Sequence, residues 1–137
     1  MAAIALCVAW MAVSCTSPPP PPRATGAGGT VDGRTVFVDR CARCHGAEGE
    51  GGIGPRLIGD DRLAGYGTAL GLFDYVSQVM PADAPGTLPA DQYWAVVAYL
   101  VRTGGYGDPP EPFDRDGAAR VTLTRNVGES RGAAENP

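Results

Sequence analysis

Lysine is missing from all 137 residues, so every one of the 11 basic side chains is an arginine. Any cationic docking patch must therefore be built from guanidinium groups, and a phosphate loop that relies on a lysine tip is excluded. Histidine is almost as scarce, with His45 alone. The formal charge of −4 speaks against a nucleic-acid binder. No apolar run is long enough to cross a bilayer of roughly 30 Å as a helix, because the longest, from Ala2 to Val13, holds about twelve residues. A charged fraction of 19% and an aromatic fraction of 7% suit one small globular domain, while 20 glycines and 13 prolines forecast many loops.

What is present is concentrated in one run. Residues 41 to 45 read Cys41-Ala42-Arg43-Cys44-His45, the C-x-x-C-H spacing of covalent c-type haem attachment. Two thiols three apart lie on the same side of a helical turn, where they can add to the two vinyl groups of one porphyrin. The imidazole that follows can then reach the iron as a proximal ligand. Two other readings compete. A zinc site needs four ligands, yet beyond Cys41, Cys44 and His45 the chain offers only Cys7 and Cys15, both in an apolar leader. A redox dithiol leaves His45 and the glycine-rich stretch after it without a purpose, and no βαβ pattern surrounds the motif.

The first 22 residues differ from the rest. The apolar run ends at Ala12-Val13-Ser14-Cys15, which resembles a bacterial lipobox, and that resemblance implies lipidation of Cys15 and loss of Cys7 with the leader. No arginine precedes Arg23, so the charged n-region of a signal peptide is missing. An uncleaved anchor and an ordinary secretory leader are the alternatives. Pro18 to Pro22 favour an extended polyproline II stalk, followed by a glycine-rich stretch from Ala24 to Thr30. The expected organisation is a signal peptide at 1–14, a lipid-anchored linker at 15–31, a haem domain at 32–104 and a largely irregular, mobile extension at 105–137.

Within the haem domain, Gly33 to Arg43 is expected to be helical, with Phe37, Cys41 and Cys44 on one face. The pattern Gly33-x-x-x-Phe37-x-x-x-Cys41-x-x-Cys44-His45-Gly46 resembles the amino-terminal helix of class I cytochrome c. The resemblance implies that Gly33 and Phe37 pack against a C-terminal helix carrying Tyr99, and that haem is attached outside the cytoplasm. In class I cytochromes the proline carbonyl of a Gly-Pro-x-Leu segment accepts the N–H of the proximal histidine. Gly54, Pro55 and Leu57 match that segment, which assigns Pro55 the orienting hydrogen bond and Leu57 a packing contact with haem.

If the iron carries a second axial protein ligand, elimination names it; the alternative is an open or water-filled position, with Met80 a gap-filler in the core. Once the leader is removed, Met80 is the sole methionine and His45 the sole histidine, so a second strong protein ligand to iron must be Met80. Leu72, Val76 and Val79 form one apolar face of a helix over Gly71 to Val79, and Met80-Pro81 ends it, since the residue before proline avoids the α region. The segment Met80-Pro81 followed by Ala84-Pro85-Gly86-x-Leu88 resembles the distal loop of small electron-transfer cytochromes.

From Ala90 to Arg102, Tyr93, Val96, Val97, Leu100 and Val101 mark an amphipathic helix that Gly104-Gly105 stops. Tyr66, Tyr75, Trp94, Arg56 and Arg62 are candidates to meet haem propionates, with ordinary packing as the competing role. Val121 to Thr124 alternates as a short extended segment expected to lie on the head, with the rest of the extension mobile. The expected fold is an all-α class I cytochrome c, with about three main helices around one haem c bound through Cys41 and Cys44. The function this implies is one-electron transfer in the periplasm by a membrane-anchored lipoprotein, without catalysis by its own side chains. Its expected partners are redox proteins, a dehydrogenase or an oxidase, and not nucleic acid. The alternative role is the electron-accepting cytochrome subunit of a periplasmic dehydrogenase.

Overall fold

The computed structural model describes residues 31–124. The leader, Cys15 and the proline stalk lie outside the described residues. The fold is all-α, that of a class I cytochrome c. Among the described residues there is no β-strand, only one antiparallel bridge between Thr68 and Thr122. No helix there is long and apolar enough to cross a membrane.

Helix α1 spans Gly33–Arg40, and its start is set by Asp32. The Asp32 carboxylate accepts from the backbone N–H groups of Arg34 and Thr35 and from the Thr35 hydroxyl, at 3.3, 3.1 and 2.7 Å. These bonds satisfy donors that a helix start leaves orphaned, and they hold the carboxyl below its ordinary range, with the Thr35 hydroxyl the largest cause. The helix expected to run through the motif breaks at Cys41, where φ is −119°. A four-residue helix α2, Ala42–His45, then begins. A 3₁₀ turn at Arg62–Tyr66 precedes α3, Ala69–Val79. The Thr68 hydroxyl caps α3 by accepting from Gly71 N–H at 3.1 Å, so this helix starts two residues before the apolar face suggests. It ends at Met80, in extended conformation before Pro81.

Helix α4, Ala90–Thr103, is the longest. Pro89 precedes it without a side-chain cap, and Asp91 supplies a negative charge in the first turn. Its stripe of Val96, Val97, Leu100 and Val101 is buried against Phe37 of α1 and Leu72 of α3. Gly33 brings α1 and α4 together: a Cβ there would collide with the Ala95 carbonyl and stand 2.9 Å from Tyr99 Cβ. Phe37 meets the Tyr99 ring in a tilted contact.

The segment Val121 to Thr124 lies on the head as expected, but residues 106–120 depart from the sequence reading: they too pack on the head, and they include a helix α5, Arg115–Arg120, capped by Asp114. Tyr106, Ala118 and Leu123 are buried, and Phe113 lies edge-on to Trp94. Leu123 N–H donates to Gly67 O and Ala69 N–H to Val121 O, each at 2.9 Å. The expected extended segment over Val121 to Thr124 is thus stitched to the start of α3. A helix of six residues with Gly117 inside it has no periodicity to read, because its stability comes from the surface it covers.

Candidate haem site

The break at Cys41 shapes the site. Cys41 N–H closes α1 by donating to Phe37 O at 2.8 Å, while Cys41 O opens α2 by accepting from Cys44 and His45 N–H, each at 3.0 Å. The motif is thereby wound into a single helical turn, α2, directly after α1. Both thiols are free and half-buried. Burial, and secondarily the neighbouring Cys44, pushes the Cys41 thiol up to about 11, so it stays protonated near neutral pH. Reactive thiols are usually shifted the other way, toward a stable thiolate.

The carbonyls left open at the end of α2 are taken by the glycine loop. Gly46, at φ +85°, turns the chain out of the helix, and a side chain there would be strained. Gly51 N–H then donates to His45 O at 2.6 Å and Gly54 N–H to Cys44 O at 2.7 Å. This fold-back lays Gly54 on the imidazole: a Cβ at Gly54 would stand 2.8 Å from His45 Cε1 and 2.9 Å from Nδ1.

His45 is buried at 7% exposure, and its Nδ1 lies 2.8 Å from Pro55 O. A carbonyl only accepts, so Nδ1 carries the proton and Nε2 holds a free lone pair. Among the described residues Nε2 has no hydrogen-bond partner. A buried polar atom without a partner is costly, and this nitrogen is in the tautomer that could bind a metal. Two free thiols on the same turn complete a donor set that fits haem c. Three His, Cys, Asp or Glu side chains that could hold a bare metal ion do not gather anywhere among the described residues.

Met80 stands at the C-terminal end of α3. Its N–H donates to Val76 O at 3.0 Å, closing α3, and its carbonyl accepts from the Tyr93 hydroxyl at 2.7 Å. The loop after it comes round to the attachment motif, where Asp83 pairs with Arg43, one of the two residues between the cysteines. Leu57 N–H donates to Gly49 O at 2.8 Å, and its side chain packs at the edge of the protein core. Of the propionate candidates, Trp94 is stacked on Phe73 with centroids 3.6 Å apart, and Tyr66 meets Tyr75 at 4.9 Å. Burial, ahead of Tyr75, raises the Tyr66 phenol above its ordinary range.

Three residues of this neighbourhood had no signal of their own. Tyr93 reads as one position of an apolar stripe, and the 40-residue separation of Arg43 and Asp83 carries no pattern. Their roles exist only once the chain has folded.

Comparison with known proteins agrees with this geometry. The family described as cytochrome c oxidase, cbb3-type, subunit III matches residues 29–100, more than half of the chain. No curated protein matches. Among solved structures, a chain in the crystal structure of the sulfane dehydrogenase SoxCD from Paracoccus pantotrophus is similar, with 25% identity and a TM-score of 0.54. The likeness covers 77% of this chain and 62% of that one.

Proposed function

The chain belongs to the cytochrome c oxidase, cbb3-type, subunit III family, and on that premise we propose that it is a one-electron carrier with His/Met ligation. A cytochrome c domain transfers electrons and implies haem c; the further reading assigns one haem, thioether-linked to Cys41 and Cys44. His45 is its proximal ligand and Met80 its distal one. The observation that carries this reading is the His45 Nδ1 to Pro55 O contact, which leaves Nε2 free beside the two thiols. When bound, the haem supplies a one-electron iron couple, and the neutral thioether of Met80 favours the ferrous form and so raises the potential relative to bis-histidine ligation. The chain's own residues orient and shield. Pro55 accepts the imidazole N–H and Gly54 packs against the ring, while Met80 at the start of the loop after α3 would supply the thioether. With His45 and Met80 both holding the iron, it would offer no open position to a substrate.

Optical spectra of the oxidised and reduced protein test the reading. The ferric wild type should show the far-red methionine-to-iron absorption, and Met80→Ala should abolish it. A variant spectrum identical to wild type would remove Met80 from the iron. Rapid carbon monoxide binding by the ferrous wild type would instead indicate a sensor or peroxidase with an open position.

The place of action in this proposal is the periplasm, with the protein held at a membrane by a lipid on Cys15. It is supported by Ala12-Val13-Ser14-Cys15 and by the extracytoplasmic attachment of haem c that the class I resemblance implies. The mass of the exported protein tests both modifications together: it should equal the chain from Cys15 plus one haem and the lipid.

A second role is favoured by the likeness to a chain of SoxCD. In it, the domain accepts electrons from a separate catalytic dehydrogenase subunit. The present chain spans about 62% of the length of its SoxCD counterpart. A subunit of this kind would co-purify with its dehydrogenase and be reduced on adding that enzyme's substrate, whereas a free carrier would elute alone.

A further inference from the structure

The loop between α3 and α4 carries Met80 at its first residue and Leu88 near its last, and one phenol meets both. The Tyr93 hydroxyl donates to Met80 O at 2.7 Å and accepts from Leu88 N–H at 3.3 Å. Tyr93 itself cannot easily move. Its ring is 4% exposed, and it sits in the first turn of α4, where its N–H donates to Pro89 O at 3.2 Å. Asp83 also pairs with Arg43 at the surface, and the other bonds of the loop are internal. Ala84 N–H donates to Pro81 O at 2.9 Å and the Thr87 hydroxyl to Ala84 O at 2.8 Å, while Gly86 N–H reaches Met80 O only at 3.4 Å.

We infer that Tyr93 is the positioning residue for Met80, acting through the backbone carbonyl and not through the sulfur. This rests on the reading of Met80 as axial ligand. The backbone of Met80 is clamped on both sides, its N–H by Val76 at the end of α3 and its carbonyl by Tyr93 at the start of α4. With both peptide groups held, the direction in which the side chain leaves the backbone is set before any ligand is bound. That preorganisation spares the thioether the entropy of being ordered at the moment of coordination. Removing the hydroxyl leaves Met80 O with one long hydrogen bond and Leu88 N–H with none of its present partners. The loop then gains alternative conformations in which the thioether is withdrawn.

The test compares wild type, Tyr93→Phe and Tyr99→Phe as ferric holoproteins, following the far-red methionine-to-iron band and titrating with imidazole, which must displace the methionine to bind. Tyr99→Phe deletes a hydroxyl from the same helix at a site without contact to the loop, and it should behave as wild type. Tyr93→Phe should bind imidazole about tenfold more tightly, the factor that one lost hydrogen bond represents, with a weakened band. Unchanged imidazole affinity in Tyr93→Phe overturns the inference, even if its unfolding temperature falls, since that outcome is a structural role only. If the wild type itself lacks the band, the His/Met reading has failed instead, and the two failures are thereby separated.

Discussion

Phe37 of α1 and Tyr99 of α4 meet with ring centroids 5.4 Å apart and planes tilted by 41°. This contact lies one turn beyond the point where Gly33 touches the backbone of α4. The pair couples the attachment motif to the longest helix, because Cys41 N–H hydrogen-bonds to Phe37 O. Tilted aromatic pairs of this kind contribute about 0.5–1.5 kcal/mol beyond the area they bury.

Gly33→Ala should therefore destabilise the holoprotein by roughly 1–3 kcal/mol, the usual cost of forcing an extra carbon into a packed contact. The obstacle is the Ala95 carbonyl, a backbone atom that cannot rotate away. Thermal unfolding followed by circular dichroism measures it, and a stability equal to wild type would mean that the two helices are further apart.

Gly54→Ala should lower the yield of covalently loaded protein and disturb the histidine. Its Cβ would stand within 3 Å of two ring atoms of His45, tilting the ring off the Pro55 carbonyl. Gly65→Ala is the control, since nothing lies within 4 Å of a Cβ there. Haem staining of the mature protein gives the comparison, and equal loading of both variants would contradict the expected clash.

Leu123→Ala tests the tail. The side chain is 1% exposed, so truncation should cost about 2–5 kcal/mol through lost burial and the cavity left behind. Urea denaturation reads this directly. A change below about 0.5 kcal/mol, usual for surface positions, would show that the segment is a loose appendage.

Arg43→Gln should have a small effect. The Arg43 and Asp83 side chains are 74% and 59% exposed, which places their ion pair among surface bridges worth less than about 1 kcal/mol and weakened by salt. The expected result is a minor stability loss that disappears at high ionic strength, with the far-red band retained. A salt-independent loss of several kcal/mol would contradict the surface-pair account.

The helices were legible in sequence to the extent that they carry their own periodicity. The apolar stripe of α4 gave its extent to within one residue, and Pro81 marked the end of α3. The start of α3 was hidden, since it depends on a hydroxyl cap at Thr68 outside the apolar stripe. The break at Cys41 was also hidden: a C-x-x-C-H turn and a continuing helix satisfy the same local spacing.

By itself the sequence named the candidate donor set. Covalent attachment and ligation depend on residue type and short spacing, so Cys41, Cys44, His45 and a single remaining methionine at Met80 could be named from the chain, and the resemblance to class I cytochromes singled out Pro55. Only the tertiary structure decided what holds those donors. It placed Gly54 against the imidazole, aimed the Tyr93 hydroxyl at Met80 O, paired Arg43 with Asp83 and buried Leu123 beside α3. The reason is physical. Each of these contacts joins residues whose separation along the chain is set by loops, or whose conformation is set by what they pack against, and neither leaves a periodic trace in the sequence.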